Sequence, residues 1–120
     1  MAKTGYSGLK RIFFAARYSA QGLAAAWRHE SAFRQEVVLA IVAIPLGLWL
    51  GDNGIERALL VGAIIQVLVV ELLNSAIEWA IDRVGDSVHP LSGRSKDMSS
   101  AAVLMSLVLA GAVWLLVLFG

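Results

Sequence analysis

MSSAAVLMSLVLAGAVWLLVLFG, residues 98–120, is an uncharged run of 23 residues. A helix needs about 20 predominantly apolar residues to cross the hydrocarbon of a bilayer. Lipid offers no hydrogen bonds, so such a run has to satisfy its own backbone groups, and a helix does so. The sequence therefore predicts a transmembrane helix over 97–119, opened by Asp97. Composition agrees: 58% of the 120 residues are hydrophobic, 16% are charged, and the mean hydropathy is +0.73. A soluble domain carries about a quarter charged residues, so lipid is the main solvent here.

Towards the N-terminus, a polar loop from Asp82 to Lys96 separates this helix from a second span over 56–82, and Asp52, Asn53 and Gly54 form the turn before that. The first span is centred on VVLAIVAIPLGLWLG, whose 15 uncharged residues are too few to cross alone. It is expected to begin near Ser31 and run over 31–51, with Arg34 and Glu36 at the headgroup boundary. Pro45 is tolerated as a kink, because neighbouring helices can satisfy the freed carbonyl. Gly47 and Gly51 form a GxxxG spacing that, at the end of a span, reads as a helix stop rather than a dimer seam. Upstream, over 6–28, Leu9, Ile12, Phe13, Ala16, Ala20, Leu23 and Trp27 recur at helical spacing, with Lys10, Arg11, Arg17 and Gln21 outside their arc. A basic amphipathic helix beside membrane spans is expected to lie in the interface. The fold class is thus an all-α membrane protein of one domain: a surface helix and three transmembrane helices.

The net charge of +1 leaves no basic field to bind a phosphate backbone, which argues against nucleic acid as a partner. Without cysteine, disulfides and thiolate chemistry are excluded. The interleaved charges of the N-terminal segment do not read as a signal peptide. Of the ten Lys and Arg, six lie at or before Arg34, three lie in the 82–97 connection, and Arg57 alone lies in the 52–57 turn. Positive-inside bias puts the N-terminus and the 82–97 connection in the cytoplasm, and the turn and C-terminus outside.

The second span carries the chemistry. VVELLNSAIEWAID, residues 69–82, sets Glu71, Asn74, Glu78 and Asp82 at offsets 0, 3, 7 and 11, with Ser75 beside them. On a helix these four fall within an arc of about 80°. Ionisable residues inside a span are costly and face protein or water, so they are a functional-site hypothesis by default. Three carboxylates and a carboxamide make a hard oxygen surface that suits magnesium rather than zinc. Glu71 lies 13 to 15 residues after Ala58 or Glu56. At about 1.5 Å per residue that is about 20 Å from the outer side, which leaves Glu78 at the aqueous boundary. Glu30 and Arg34 form an i,i+4 pair that reads as an ion pair at the interface, and Glu30 joins the site only if it meets Glu78 in space. His89, Arg94 and Lys96 lie among small residues able to hold a polyphosphate, although the Walker A spacing is absent.

RHESAFRQE (28–36), VELLNSAIEWAIDRVGDSVH (70–89) and LSGRSKDMSSAAVL (91–104) closely resemble the small prokaryotic diacylglycerol kinase family. The resemblance implies a homotrimer in the bacterial inner membrane that phosphorylates diacylglycerol from MgATP at the cytoplasmic face, giving phosphatidic acid. It also implies Glu71 as general base, Glu30 and Glu78 as holders of magnesium on the ATP phosphates, and a nucleotide site of Arg11, Tyr18, Glu30, Glu78, Ser87, Val88, His89, Lys96 and Asp97. Arg11, Ala16, Ser19, Gln35, Glu71 and Ser100 would meet the lipid, with Asn74, Glu36 and Asp82 in support. Two rivals stand beside this reading. A kinase of the same family acting on undecaprenol would share the carboxylates. An ion-coupled transporter subunit would use Glu71, Asn74 and Glu78 as a path for protons or cations.

Overall fold

The structure is a computed structural model and describes residues 7–85 and 89–120. Four helices follow one another: α1 (Gly8–His29), α2 (Ser31–Leu50), α3 (Gly54–Val84) and α4 (Pro90–Phe119), and there is no strand among the described residues. Three of them, α2, α3 and α4, are long and apolar enough to cross a membrane. At about 1.5 Å per residue, α3 and α4 each reach about 45 Å, well beyond a hydrocarbon core of about 30 Å. Their ends therefore project, and polar sequence there can remain helical. This accounts for a difference from the sequence reading, since α4 begins at Pro90 rather than Asp97 and α3 extends to Val84. Proline suits the first helical turn, and the His89 ring accepts a hydrogen bond from the Leu91 N–H at 3.0 Å, so LSGRSK belongs to a capped helix.

Tight turns set the order of packing. α1 and α2 are joined by a single residue, Glu30, in an extended conformation (φ −120°, ψ 104°). Between α2 and α3, the Asn53 carboxamide accepts from the Glu56 N–H at 2.9 Å, while the Glu56 carboxylate reaches back to the Asp52 N–H at 3.0 Å. Two of the orphan donors of that connection are thereby satisfied. α3 is central, packed along α4 and along α2, whereas α1 makes few contacts with the rest.

Small residues let the spans approach, as packing in lipid demands. Ala40, Ala43 and Gly47 of α2, Ala63 of α3 and Ala110 of α4 are buried. Leu60 is fully enclosed, and the Trp114 indole donates to its carbonyl at 3.1 Å. Deeper in the spans, Gln66 Nε2 donates to the Ser106 carbonyl at 2.7 Å and to the Ala63 carbonyl at 3.1 Å, tying α3 to α4. Both glycines of the GxxxG spacing act within the chain. Gly47 faces Leu60 and Trp114, and Gly51 ends α2.

A Cβ on Gly51 would lie 2.9 Å from the Arg57 backbone nitrogen, whereas one on Gly62 meets nothing within 4 Å. Gly51→Ala is therefore expected to lower stability by about 1–3 kcal/mol, the usual cost of overpacking. Gly62→Ala should lose nothing. Denaturant unfolding of both variants in detergent micelles checks the contrast.

Candidate active site

Glu71 sits on the inner face of α3 and is only 4% exposed. One turn on, the Asn74 carboxamide lies between two carboxylates, with its Nδ2 at 3.4 Å from Glu71 Oε2 and 3.2 Å from Glu78 Oε1. The spacing of 3 and 4 residues makes this possible, since side chains so separated are neighbours on a helix. An ionised carboxylate only accepts, so the amide has to turn its NH2 towards both. Its oxygen then faces α4, where the Ser99 hydroxyl donates to Oδ1 at 2.8 Å.

The other flank is closed by the α1–α2 joint. The Ser75 hydroxyl donates to Glu30 Oε1 at 2.9 Å and lies 3.4 Å from Glu71 Oε2, so one proton serves two carboxylates. The Trp79 indole donates to Glu30 Oε2 at 3.1 Å, and its ring meets His29 edge-on. Glu30 thus reaches α3 on the turn that carries Glu78. As the cap residue of α2 its side chain makes no capping bond, because the carboxylate is engaged on α3. Glu36 of α2 faces Glu71 closely enough to interact, and its Oε2 is buried without a partner among the described residues.

Arg34 does not pair with Glu30 as the i,i+4 spacing suggests. Its Nη1 donates instead to the carbonyls of Trp27 and Arg28, at 2.7 and 3.2 Å. Those are orphan acceptors at the end of α1, where a guanidinium is well placed, and this frees Glu30 for Ser75 and Trp79.

Between α1 and α3 runs a groove of about 760 Å³ with mostly apolar walls, including Leu23, Ala26, Leu72 and Ala76. Ser19, His29, Glu30 and Ser75 are among its polar positions, so it links α1 to the carboxylate cluster.

Residues 17–118 match the family model described as prokaryotic diacylglycerol kinase. The chain is 48% identical over 113 residues to a diacylglycerol kinase of Escherichia coli strain K12, covering 94% of this chain and 93% of that protein. A diacylglycerol kinase of Pseudomonas aeruginosa is 47% identical over 116 residues, covering 97% and 94%. One from Haemophilus influenzae is 44% identical over 113 residues, covering 94% and 96%. The chain belongs to the prokaryotic diacylglycerol kinase family. It is a multi-pass membrane enzyme of the kinase class.

Within this kinase fold the residues singled out from the sequence separate into groups. Glu30, Glu36, Glu71, Asn74 and Glu78 form the cluster just described. Further along α3, Asp82 pairs with Lys96 of α4 at 2.7 Å. Asp97 and Ser100 are exposed on α4, and Gln35 is exposed on α2. On α1, Arg11, Ala16, Tyr18 and Ser19 are exposed; Tyr18 stacks on Phe14, and the Ser19 hydroxyl returns to the Ala15 carbonyl. Ser87 and Val88 lie outside the described residues. His89 is the cap of α4.

Trp79 and Ser99 escaped the sequence reading. A tryptophan next to Glu78, and a serine three residues after Lys96 on the same helix face, were the available signals, but each looks like an ordinary interfacial or helix residue without knowledge of its partner. Ser75→Ala would leave the Glu30 and Glu71 carboxylates without their shared donor. Asn74 still donates to Glu71 and Trp79 to Glu30, so the loss is that of one hydrogen bond to a charged group, about 1.5–3 kcal/mol, and the midpoint of unfolding in mixed micelles should fall by a corresponding amount.

Proposed function

We propose that this chain transfers the γ-phosphoryl group of ATP to the free hydroxyl of diacylglycerol, giving phosphatidic acid, with Glu71 as general base. The observation that carries the reading is a buried carboxylate in a membrane span, held by Asn74 and Ser75 beside an apolar groove. The names of its relatives support diacylglycerol as the acceptor.

The groove receives the acyl chains and glycerol backbone, with Ser19 in its wall; Ala16, Gln35 and Ser100, outside that wall, are the further lipid contacts in this reading. Glu71 takes the proton of the attacking hydroxyl as its oxygen bonds to the γ-phosphorus. The bond from that phosphorus to the β,γ-bridging oxygen breaks, and ADP leaves. Phosphoryl transfer of this kind asks a protein for positioning and electrostatic stabilisation more than for covalent chemistry. Lys96, held by Asp82, neutralises phosphate charge. Arg11, Tyr18, Ser87, Val88, His89 and Asp97 complete the nucleotide site.

Glu30 and Glu78 fit magnesium. Their donors are hard oxygens, and each Glu30 oxygen accepts one hydrogen bond and keeps a lone pair. No group of three or more His, Asp and Glu able to hold a metal ion is present among the described residues. Magnesium is normally held by one or two carboxylates together with substrate phosphates, so a two-carboxylate set is sufficient. When bound with the nucleotide, the ion would offset the charge of the phosphates.

The working unit in this reading is a homotrimer with sites shared between subunits. Its support is the exposure of α4, where Leu104, Met105, Val108, Leu115 and Leu116 are all more than 60% exposed. The exposed placement of Arg11 and Tyr18, away from the hydrogen-bonded cluster, points the same way. The N-terminus and the α3–α4 connection face the cytoplasm, following the basic residues, and the C-terminus faces the periplasm.

Transfer of labelled γ-phosphate from MgATP to diacylglycerol in mixed micelles tests the proposal. Glu71→Gln keeps the shape of the side chain and removes the base, so its rate should fall by about 100-fold or more while its unfolding stays cooperative. Label appearing only on undecaprenol, offered in parallel, would transfer the mechanism to that acceptor. Proton flux without ATP turnover would favour a transporter instead.

A further inference from the structure

Asn74 is the only amide in the carboxylate cluster among the described residues, and its usefulness depends on which way it faces. With Nδ2 towards Glu71 and Glu78 it gives one N–H to each; reversed, it would set an acceptor against two acceptors. The two carboxylates disfavour that reversal, but they do not fix the plane of the amide. A donor on the opposite side does, and the one present is Ser99 on α4, 6% exposed, with Oγ at 2.8 Å from Asn74 Oδ1.

Ser99 has a local alternative. Its hydroxyl also lies 3.1 Å from the carbonyl of Lys96, the intrahelical acceptor that serines commonly use. One proton serves both, and the shorter contact is the one that crosses between helices. Ser106 of α4 provides a comparison. It is equally buried, and its hydroxyl takes the intrahelical choice, 2.7 Å from the Val103 carbonyl. The two serines thus have the same burial and the same helix, but only Ser99 reaches the cluster.

We infer that Ser99 is a positioning residue for phosphoryl transfer, fixing the Asn74 amide so that it holds the Glu71 and Glu78 carboxylates in their working orientation. The inference rests on the proposed function for its reaction, though not for its geometry. Ser99 touches neither reactant. Its effect travels through one hydrogen bond to Asn74 and two more from Asn74 to the carboxylates.

The test is a set of variants assayed for phosphate transfer from MgATP to diacylglycerol. Ser99→Ala is expected to lower kcat by about tenfold, the lower end of what loss of an orienting partner does, with KM for the lipid unchanged. Ser99→Thr retains the hydroxyl and should restore most of the rate. Ser106→Ala removes a hydroxyl of equal burial and should leave kcat alone. In an Asn74→Ala background, Ser99→Ala should cost nothing further, because there is no amide left to orient. Unchanged kcat in Ser99→Ala, an equal loss in Ser106→Ala, or the same loss with and without Asn74 would each overturn the inference. Glu71→Gln, run alongside, separates the two claims. Retained transfer in that variant overturns the assignment of the base and leaves the Ser99–Asn74 cycle readable, whereas no transfer by the unsubstituted protein overturns both.

Discussion

The rest of the structure depends on the need to satisfy carboxylates that α3 carries into the membrane-spanning part of the molecule. An apolar span needs little from its neighbours beyond close packing. A span with Glu71 buried and Glu78 half-buried on one face needs donors, and Asn74 and Ser75 of the same helix supply them. Ser99 of α4 donates in turn to the Asn74 amide oxygen, and on the other flank the Glu30 carboxylate accepts from Ser75 and Trp79.

Those requirements explain features that packing alone leaves arbitrary. The one-residue joint between α1 and α2 places a carboxylate where a serine or asparagine would have capped α2 better. Arg34 supplies what the joint lacks by covering the last carbonyls of α1. As a result the end of the surface helix is fixed to the same turns of α3 that hold Glu78, and the groove between α1 and α3 opens beside the carboxylates. Positions of α1, the joint and the cluster are therefore one problem, not three.

Three spans and an amphipathic helix were legible from hydropathy and helical period, because lipid imposes those patterns directly on the sequence. The shared face of Glu71, Asn74 and Glu78 was legible for the same reason, as it needs only 3.6 residues per turn. Tertiary partners were not. Nothing in the spacing of Glu30 and Arg34 says that each will prefer a more distant acceptor or donor to the other, since that choice depends on orphan carbonyls at the end of α1 and on an indole 49 residues away. The start of α4 was missed for a different reason. LSGRSKD is polar enough to read as a loop, but a helix that projects beyond the bilayer no longer needs apolar side chains, and the His89 cap and Pro90 decide its beginning.

A cluster of this kind is a poor way to gain stability. Replacing buried charged groups by well-packed apolar ones is often neutral or stabilising, whereas removing one partner from a paired set is costly. Glu36 makes the point within this molecule. Its carboxyl faces that of Glu71, and one of its oxygens is buried without a donor among the described residues. An apolar side chain there would carry no unsatisfied oxygen. Two carboxyls opposed in a span, one of them beside an amide that a third helix keeps in place, make sense where a proton has to be taken up at a defined point. The proton uptake proposed for Glu71 in transfer to a lipid hydroxyl is such a requirement, and it would give a reason for polar groups that the fold itself does not need.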